Sequence, residues 1–157
     1  MSNNAEEQLR FKQLLKEHCL AVLNERIANI ENAMKEAQEA ANSEEKSSAG
    51  DKYETGRAMN QLNKEMYAAQ LEEALKELGQ MLAADTTTIR TQCGTGALIT
   101  TDTTTLFIAA AMGAIKLQGK QVMVLSPKAP IAIALNGKQK NEVVQFNGKA
   151  ITVKEVY

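Results

Sequence analysis

Residues 20–41 read LAVLNERIANIENAMKEAQEAA. In this stretch Leu20, Leu23, Ile27, Ile30, Met34, Ala37 and Ala41 recur at alternating steps of three and four. That spacing holds a narrow apolar stripe on one side of an α-helix, the a/d seam of a helix that buries itself against a second one. The residues between are mostly Glu, Lys, Gln and Asn, as a solvated face requires. Upstream, Phe11, Leu15, His18 and Val22 continue the stripe after a phase shift, and neither Pro nor Gly interrupts residues 5–41.

Downstream the pattern stops at NSEEKSSAG (42–50), polar and small with Gly50 at its end, which predicts a turn. A second seam follows: Met59, Leu62, Met66 and Ala69, leading into Leu71, Leu75, Leu78 and Leu82. A second helix is therefore expected over about residues 52–82. Helices of ~30 residues are about 45 Å long. A short turn between two of them makes them antiparallel neighbours. Neither stripe is wide enough to be covered on all sides, so the hairpin is expected to project.

Beyond Leu82 the composition changes. Residues 85–105 are Thr-rich, and apolar β-forming runs follow at 97–100, 104–111, 121–125, 143–146 and 151–156. Asn147-Gly148 between the last two is a strong hairpin signal. In SPKAPIAIAL (126–135) a Ser cap, an early Pro and a following Asn136-Gly137 suit a short helix. The expected architecture is α+β. A coiled-coil hairpin would occupy residues 1–82, with its tip at about 42–54, and a small β-rich domain residues 83–157.

Charge divides the same way. Residues 1–82 carry 10 basic and 15 acidic side chains, a balance of −5; residues 83–157 carry 8 and 4, a balance of +4. An acidic half joined to a basic one argues against a plain DNA binder and suits a protein that docks by one end and presents carboxylates at the other. The polar start MSNNAEEQLR lacks the order of a signal peptide, and no apolar run reaches a membrane span, so a cytoplasmic protein is expected. Cys19 and Cys93 stand in no metal-ligand spacing and are expected as reduced thiols.

Two segments now resemble a known family. SPKAPIAIALNGKQKNEVVQFNGKAITVKEVY (126–157) is similar to the end of the bacterial Gre-type transcription elongation and transcript-cleavage factors (GreA/GreB-like), through Ser126, Pro127, Ala134, Leu135, Gly137, Lys138, Val143, Val144, Gly148 and Lys149. Gly50-Asp51-Lys52-Tyr53-Glu54 resembles the Gly-Asp-x-x-Glu that the family carries between its two long helices. The resemblance implies an FK506-binding-protein-like C-terminal domain without isomerase activity, docked on RNA polymerase. It also implies a hairpin that enters the polymerase secondary channel, reaching nascent RNA and DNA only indirectly. Tip carboxylates there would help hold a second magnesium shared with the polymerase active centre, and the protein would have no cofactor of its own. In that mechanism two metals some ~4 Å apart polarise the scissile phosphate and activate a water. The resemblance thus gives Asp51 and Glu54 a metal-assisting catalytic role in trans, and Lys52, Arg57, Ser126, Pro127 and Lys138 contacts with the partner. It departs from the cleaving members at Lys52, Thr55, Arg57 and Ala58.

By themselves, Asp51 and Glu54 fit two roles. Spaced i,i+3 at a helix start they can aim oxygen ligands at a hard cation. They also spell a capping box, in which both side chains satisfy free helix N–H groups. Glu44 and Glu45 read as solvated loop acids, and Lys46, Lys52 and Arg57 as surface charge or phosphate contacts. Cys93 between glycines lacks a neighbouring base, which disfavours a thiol-dependent acyl-transfer enzyme. The expected function is a non-enzymatic factor that stimulates cleavage of backtracked RNA by the polymerase. The alternative is a non-cleaving polymerase modulator, or a binder of another protein, with the same fold. Two matched seams in one chain favour pairing within it and hence a monomer over a coiled-coil dimer.

Overall fold

The computed structural model describes the backbone of residues 2–47 and 51–157, and side chains over 3–43 and 55–157. Two long helices come first, α1 (Ser2–Ser47) and α2 (Asp51–Ala83). Six strands and a short helix follow: β1 (Leu98–Thr101), β2 (Thr105–Ile108), β3 (Gly113–Leu117), β4 (Lys120–Leu125), α3 (Pro130–Leu135), β5 (Val143–Phe146) and β6 (Lys149–Val156). The fold is α+β, as expected. The first helix outruns its expected end near residue 41, because Asn42–Lys46 holds neither Gly nor Pro and is polar without being helix-breaking. Gly50 lies outside the described residues.

The chain divides into two compact units. One is Val22–Lys76; the other joins the residues up to Ala21 with Glu77–Tyr157. In the first, Met34–Ala41 of α1 lies beside Arg57–Tyr67 of α2, and Val22–Ala33 beside Tyr67 and Gln70, so the helices run antiparallel. The α1 seam is the one the spacing predicts. Leu23 and Ile27 are buried, and Ile30, Met34, Ala37 and Ala41 are half-buried.

The α2 seam is not. Met59 (54% exposed), Leu62 (61%) and Met66 (46%) face outward, as do Ala69, Leu75 and Leu82. The inward positions are Asn60, Asn63, Tyr67, Leu71 and Ala74, with Leu78 and Met81 further along. Of the expected seam residues only Leu71 and Leu78 point inward. The α2 sequence carries two interleaved stripes one residue, or about 100° of rotation, apart. Stepping back from fully buried Met81 in threes and fours lands on the inward set, so a single anchored side chain fixes the phase of a rigid helix.

In the other unit the α1 stripe is also displaced. Lys12, Leu15 and Cys19 are fully buried, whereas His18 is exposed and Phe11 half-buried beneath the Lys120 ammonium, 5.4 Å from the ring centre. The sheet order is β3-β4-β2-β1-β6-β5, with β2 and β4 parallel and the other neighbours antiparallel. Leu98 pairs with Phe107 and Ile99 with Leu106, and all four are buried, so the central strands are covered on both faces. Ile99, Leu106 and Val153 pack with Ala132 and Leu135 of α3 and with Cys93. The helical base supplies buried Leu15, Cys19, Met81 and Ala84.

The strand β3 is absent from the sequence reading. It pairs with β4 around Gln118-Gly119, both at positive φ (51° and 78°), the same tight-turn geometry as Asn147-Gly148 (52° and 77°). Gln is a poor αL residue, so Gln118 carried no turn signal. Ser126 does not cap α3. The N-cap is Ala129, without a side-chain bond, and Ser126 Oγ instead accepts from the Lys128 N–H (3.1 Å) in the turn before it.

Candidate functional site

The residues the resemblance singles out fall in both units. In the hairpin unit, Asp51, Lys52 and Glu54 form the first turn of α2 by backbone, but their side chains lie outside the described residues. Arg57 follows one turn later, exposed, with no ion pair to a described residue. Beside it runs the outward stripe Met59, Leu62 and Met66, at i, i+3 and i+7, an apolar helix face without cover among the described residues.

In the sheet-bearing unit, Ser126 and Pro127 begin the turn into α3, and Lys138 follows that helix. Pro127 is exposed and so is Ile133 on α3 (62%), a small apolar surface at this edge. The Lys138 backbone is fully engaged. Its N–H donates to Leu135 O (2.9 Å), and its carbonyl accepts from Cys93 N–H (2.8 Å). Gly137 N–H donates to Cys93 O (2.8 Å), which ties the segment after α3 to the residues preceding β1.

A cationic cluster went unread in the sequence. Lys12 Nζ, fully buried, donates to Thr88 O (3.0 Å), while Lys16 Nζ donates to Leu82 O (2.9 Å) and Ala84 O (2.7 Å). Lys16 thus satisfies carbonyls left without partners at the end of α2, where the helix dipole favours a cation. Burial pushes the Lys12 ammonium down to about 8, with the Arg90 guanidinium acting the same way and Asp85 opposing. Asp85 accepts from Thr87 Oγ1 (2.6 Å) and Thr87 N–H (2.8 Å), bonds that hold its carboxyl well below the usual range. Arg90 lies 3.9 Å from Asp85, and its buried Nε has no acceptor among the described residues. Gly96, at φ +85°, closes this loop; a Cβ there would meet Asp85 O at 2.9 Å. The available signals were Lys12 three residues before Leu15 on a seam, and Asp85-x-Thr, which favours an Asx turn.

This cluster is structural. Lys12 has a lowered pKa but no exposed surface for a substrate to reach. The thiols are no better placed as nucleophiles. Cys19 and Cys93 are free and buried, and burial pushes both up to about 11, so neither is a thiolate at neutral pH. No group of three or more metal-ligating side chains exists among the described residues, and no described helix is long and apolar enough to cross a membrane.

No protein-family model and no curated protein matches the chain. Among solved structures, one described as that of the transcription factor Gfh1 aligns with 88% of this chain and 92% of its own, at 15% identity and a TM-score of 0.37. A likeness that loose says nothing of what this chain does.

Proposed function

We propose that the chain is a Gre-like elongation factor that binds RNA polymerase, inserts its hairpin in the secondary channel and assists cleavage of backtracked RNA with Asp51 and Glu54. One observation carries this reading. Helix α1 ends at Ser47 and α2 begins at Asp51, so the family-like Asp-x-x-Glu opens the returning helix of an antiparallel pair. Two carboxylates three residues apart on one helical turn suit a hard, oxygen-seeking cation such as magnesium. A magnesium shared with the polymerase would supply Lewis-acid activation of water and phosphate. On this reading Asp51 and Glu54 orient ligand oxygens. Lys52 and Arg57 contact phosphate or polymerase acids, and Ser126, Pro127 and Lys138 lie on the docking surface, where exposed Ile133 adds apolar area.

A second reading, a polymerase modulator that does not cleave, is favoured by Lys52, Thr55, Arg57 and Ala58 where cleaving members have other residues, and by the Met59-Leu62-Met66 face beside them, which has no cover among the described residues. One experiment separates the two. Artificially backtracked elongation complexes are incubated with wild type and with Asp51→Asn/Glu54→Gln. Release of 3′ RNA fragments by wild type alone, with equal binding by both, is the expected result. Binding without stimulation by either protein supports the modulator, and absence of binding removes both readings.

A further inference from the structure

The outer part of the hairpin does not close. On α1 the seam positions there are Ala37 and Ala41, and the inward residues of α2 across from them are Asn60 and Tyr67. Small side chains facing a polar one cannot fill an interhelical seam as Leu and Ile do. A cavity of about 450 Å³ remains between the helices. That is within the range of small-ligand sites, roughly 300–1,000 Å³.

Its lining is unusual for this part of the chain. Residues 22–76 hold five cations and seven acids whose side chains are described. Three of those cations, Lys35, Arg57 and Lys64, line the cavity, and none of the acids does. They come from both helices: Lys35 from α1, and Arg57 and Lys64 seven residues apart on α2. All three are exposed and none makes an ion pair with a described residue. Below them the half-buried Tyr67 offers a ring edge or face, with Met34 and Ala37 beside it. Gln38 spends an amide N–H on Asn42 Oδ1 (3.0 Å) and Gln61 one on Glu65 Oε1 (3.2 Å), which keeps their own carbonyl oxygens available as acceptors.

We propose that this interhelical cavity is a binding site for a nucleoside di- or triphosphate, with Lys35, Arg57 and Lys64 holding the phosphates and Tyr67 stacking on the base. Three converging cations match the charge of a polyphosphate better than that of a single phosphate, and Arg57 can engage two phosphate oxygens at once. Stacking on Tyr67 is sequence-tolerant, and the amide oxygens of Gln38 and Gln61 accept from an exocyclic amine. A ligand held by both helices binds the folded hairpin and not the unfolded chain, so it raises the melting temperature as well as producing heat. The site shares Arg57 with the polymerase reading, whereas Lys35 and Lys64 have no part in it, so variants of those two lysines test the site apart from polymerase binding.

Calorimetric titration and thermal melting of the full chain with ADP and GDP, against adenosine and inorganic pyrophosphate, test it. Saturable binding of both nucleotides with a raised melting temperature, and no binding of adenosine, is expected. Lys35→Gln/Lys64→Gln should weaken nucleotide binding by about tenfold or more, the loss of charged hydrogen bonds of ~1.4 kcal/mol or above. Tyr67→Leu should weaken the nucleotides and leave pyrophosphate unchanged, while Lys128→Gln/Lys154→Gln on the other unit should change nothing. Absence of saturable binding overturns the proposal. So does binding that the Lys35/Lys64 pair does not affect, or that the Lys128/Lys154 pair weakens equally.

Discussion

The sheet-bearing unit and the hairpin unit are built from the same chain by opposite economies of burial. In the former, Phe107, Val122, Val124 and Val153 are fully buried, the sheet is covered on both faces, and even a lysine is enclosed with its ammonium bonded to a carbonyl. In the latter only Leu23, Ile27 and Ala74 are buried among the described residues, and most of the seam is half-open. Each fully buried Leu or Phe is worth roughly 1.5–3 kcal/mol. Cooperative stability therefore concentrates in the first unit, and the second is the place for surfaces that meet other molecules. Its apolar Met59-Leu62-Met66 face and its cation-lined cavity both belong to that second kind of region.

The largest test of the contrast is Phe107→Ala. Removing a fully buried ring from the middle of the sheet should lower unfolding stability by about 3–5 kcal/mol, measured by denaturant titration. A loss near that of a surface substitution would mean that the sheet is not the stable half.

A smaller effect comes from Lys12, whose folded value of about 8 lies below the ordinary 10.5. Below pH 8 the lysine is charged in both states, and its burial is a standing cost. Between pH 8 and 10.5 the unfolded chain binds the extra proton, so this group makes stability rise with pH. The buried thiols act oppositely from pH 9 to 11, because they ionise first in the unfolded chain. The clean measurement is the difference between wild type and Lys12→Met, which should shift in favour of wild type by on the order of 2–3 kcal/mol from pH 8 to 10.5. A flat difference would show that Lys12 is solvated.

The smallest effect sharpens the hairpin side. Leu62→Gln, at 61% exposure, should change stability by no more than about 0.5 kcal/mol. A loss above about 2 kcal/mol would return Leu62 to the interhelical seam, as its spacing alone suggests.

Much of this was legible in the residues. The seam from Leu23 to Ala41 reads correctly because every alternative phase of α1 places Glu, Lys or Asn inside. The turn at Asn147-Gly148 reads correctly because that dipeptide adopts two positive φ angles at low cost. The turn at Gln118-Gly119 has the same geometry with a residue that does not announce it, and β3 was lost with it. The candidate cavity was hidden for another reason. Ala37 and Ala41 look like ordinary seam residues until Asn60, rather than Met59 or Leu62, is found opposite.

Local spacing and turn chemistry thus determined that two long helices precede a mixed β-rich unit, since periodicity and φ preference act within a few residues of themselves. Only the tertiary structure decided which stripe of α2 faces inward, that Lys12 replaces His18 on the buried side of α1, and that the outer seam stays open. Those outcomes depend on what each helix meets, and an α-helix turned by one residue moves every side chain it carries by about 100° at once.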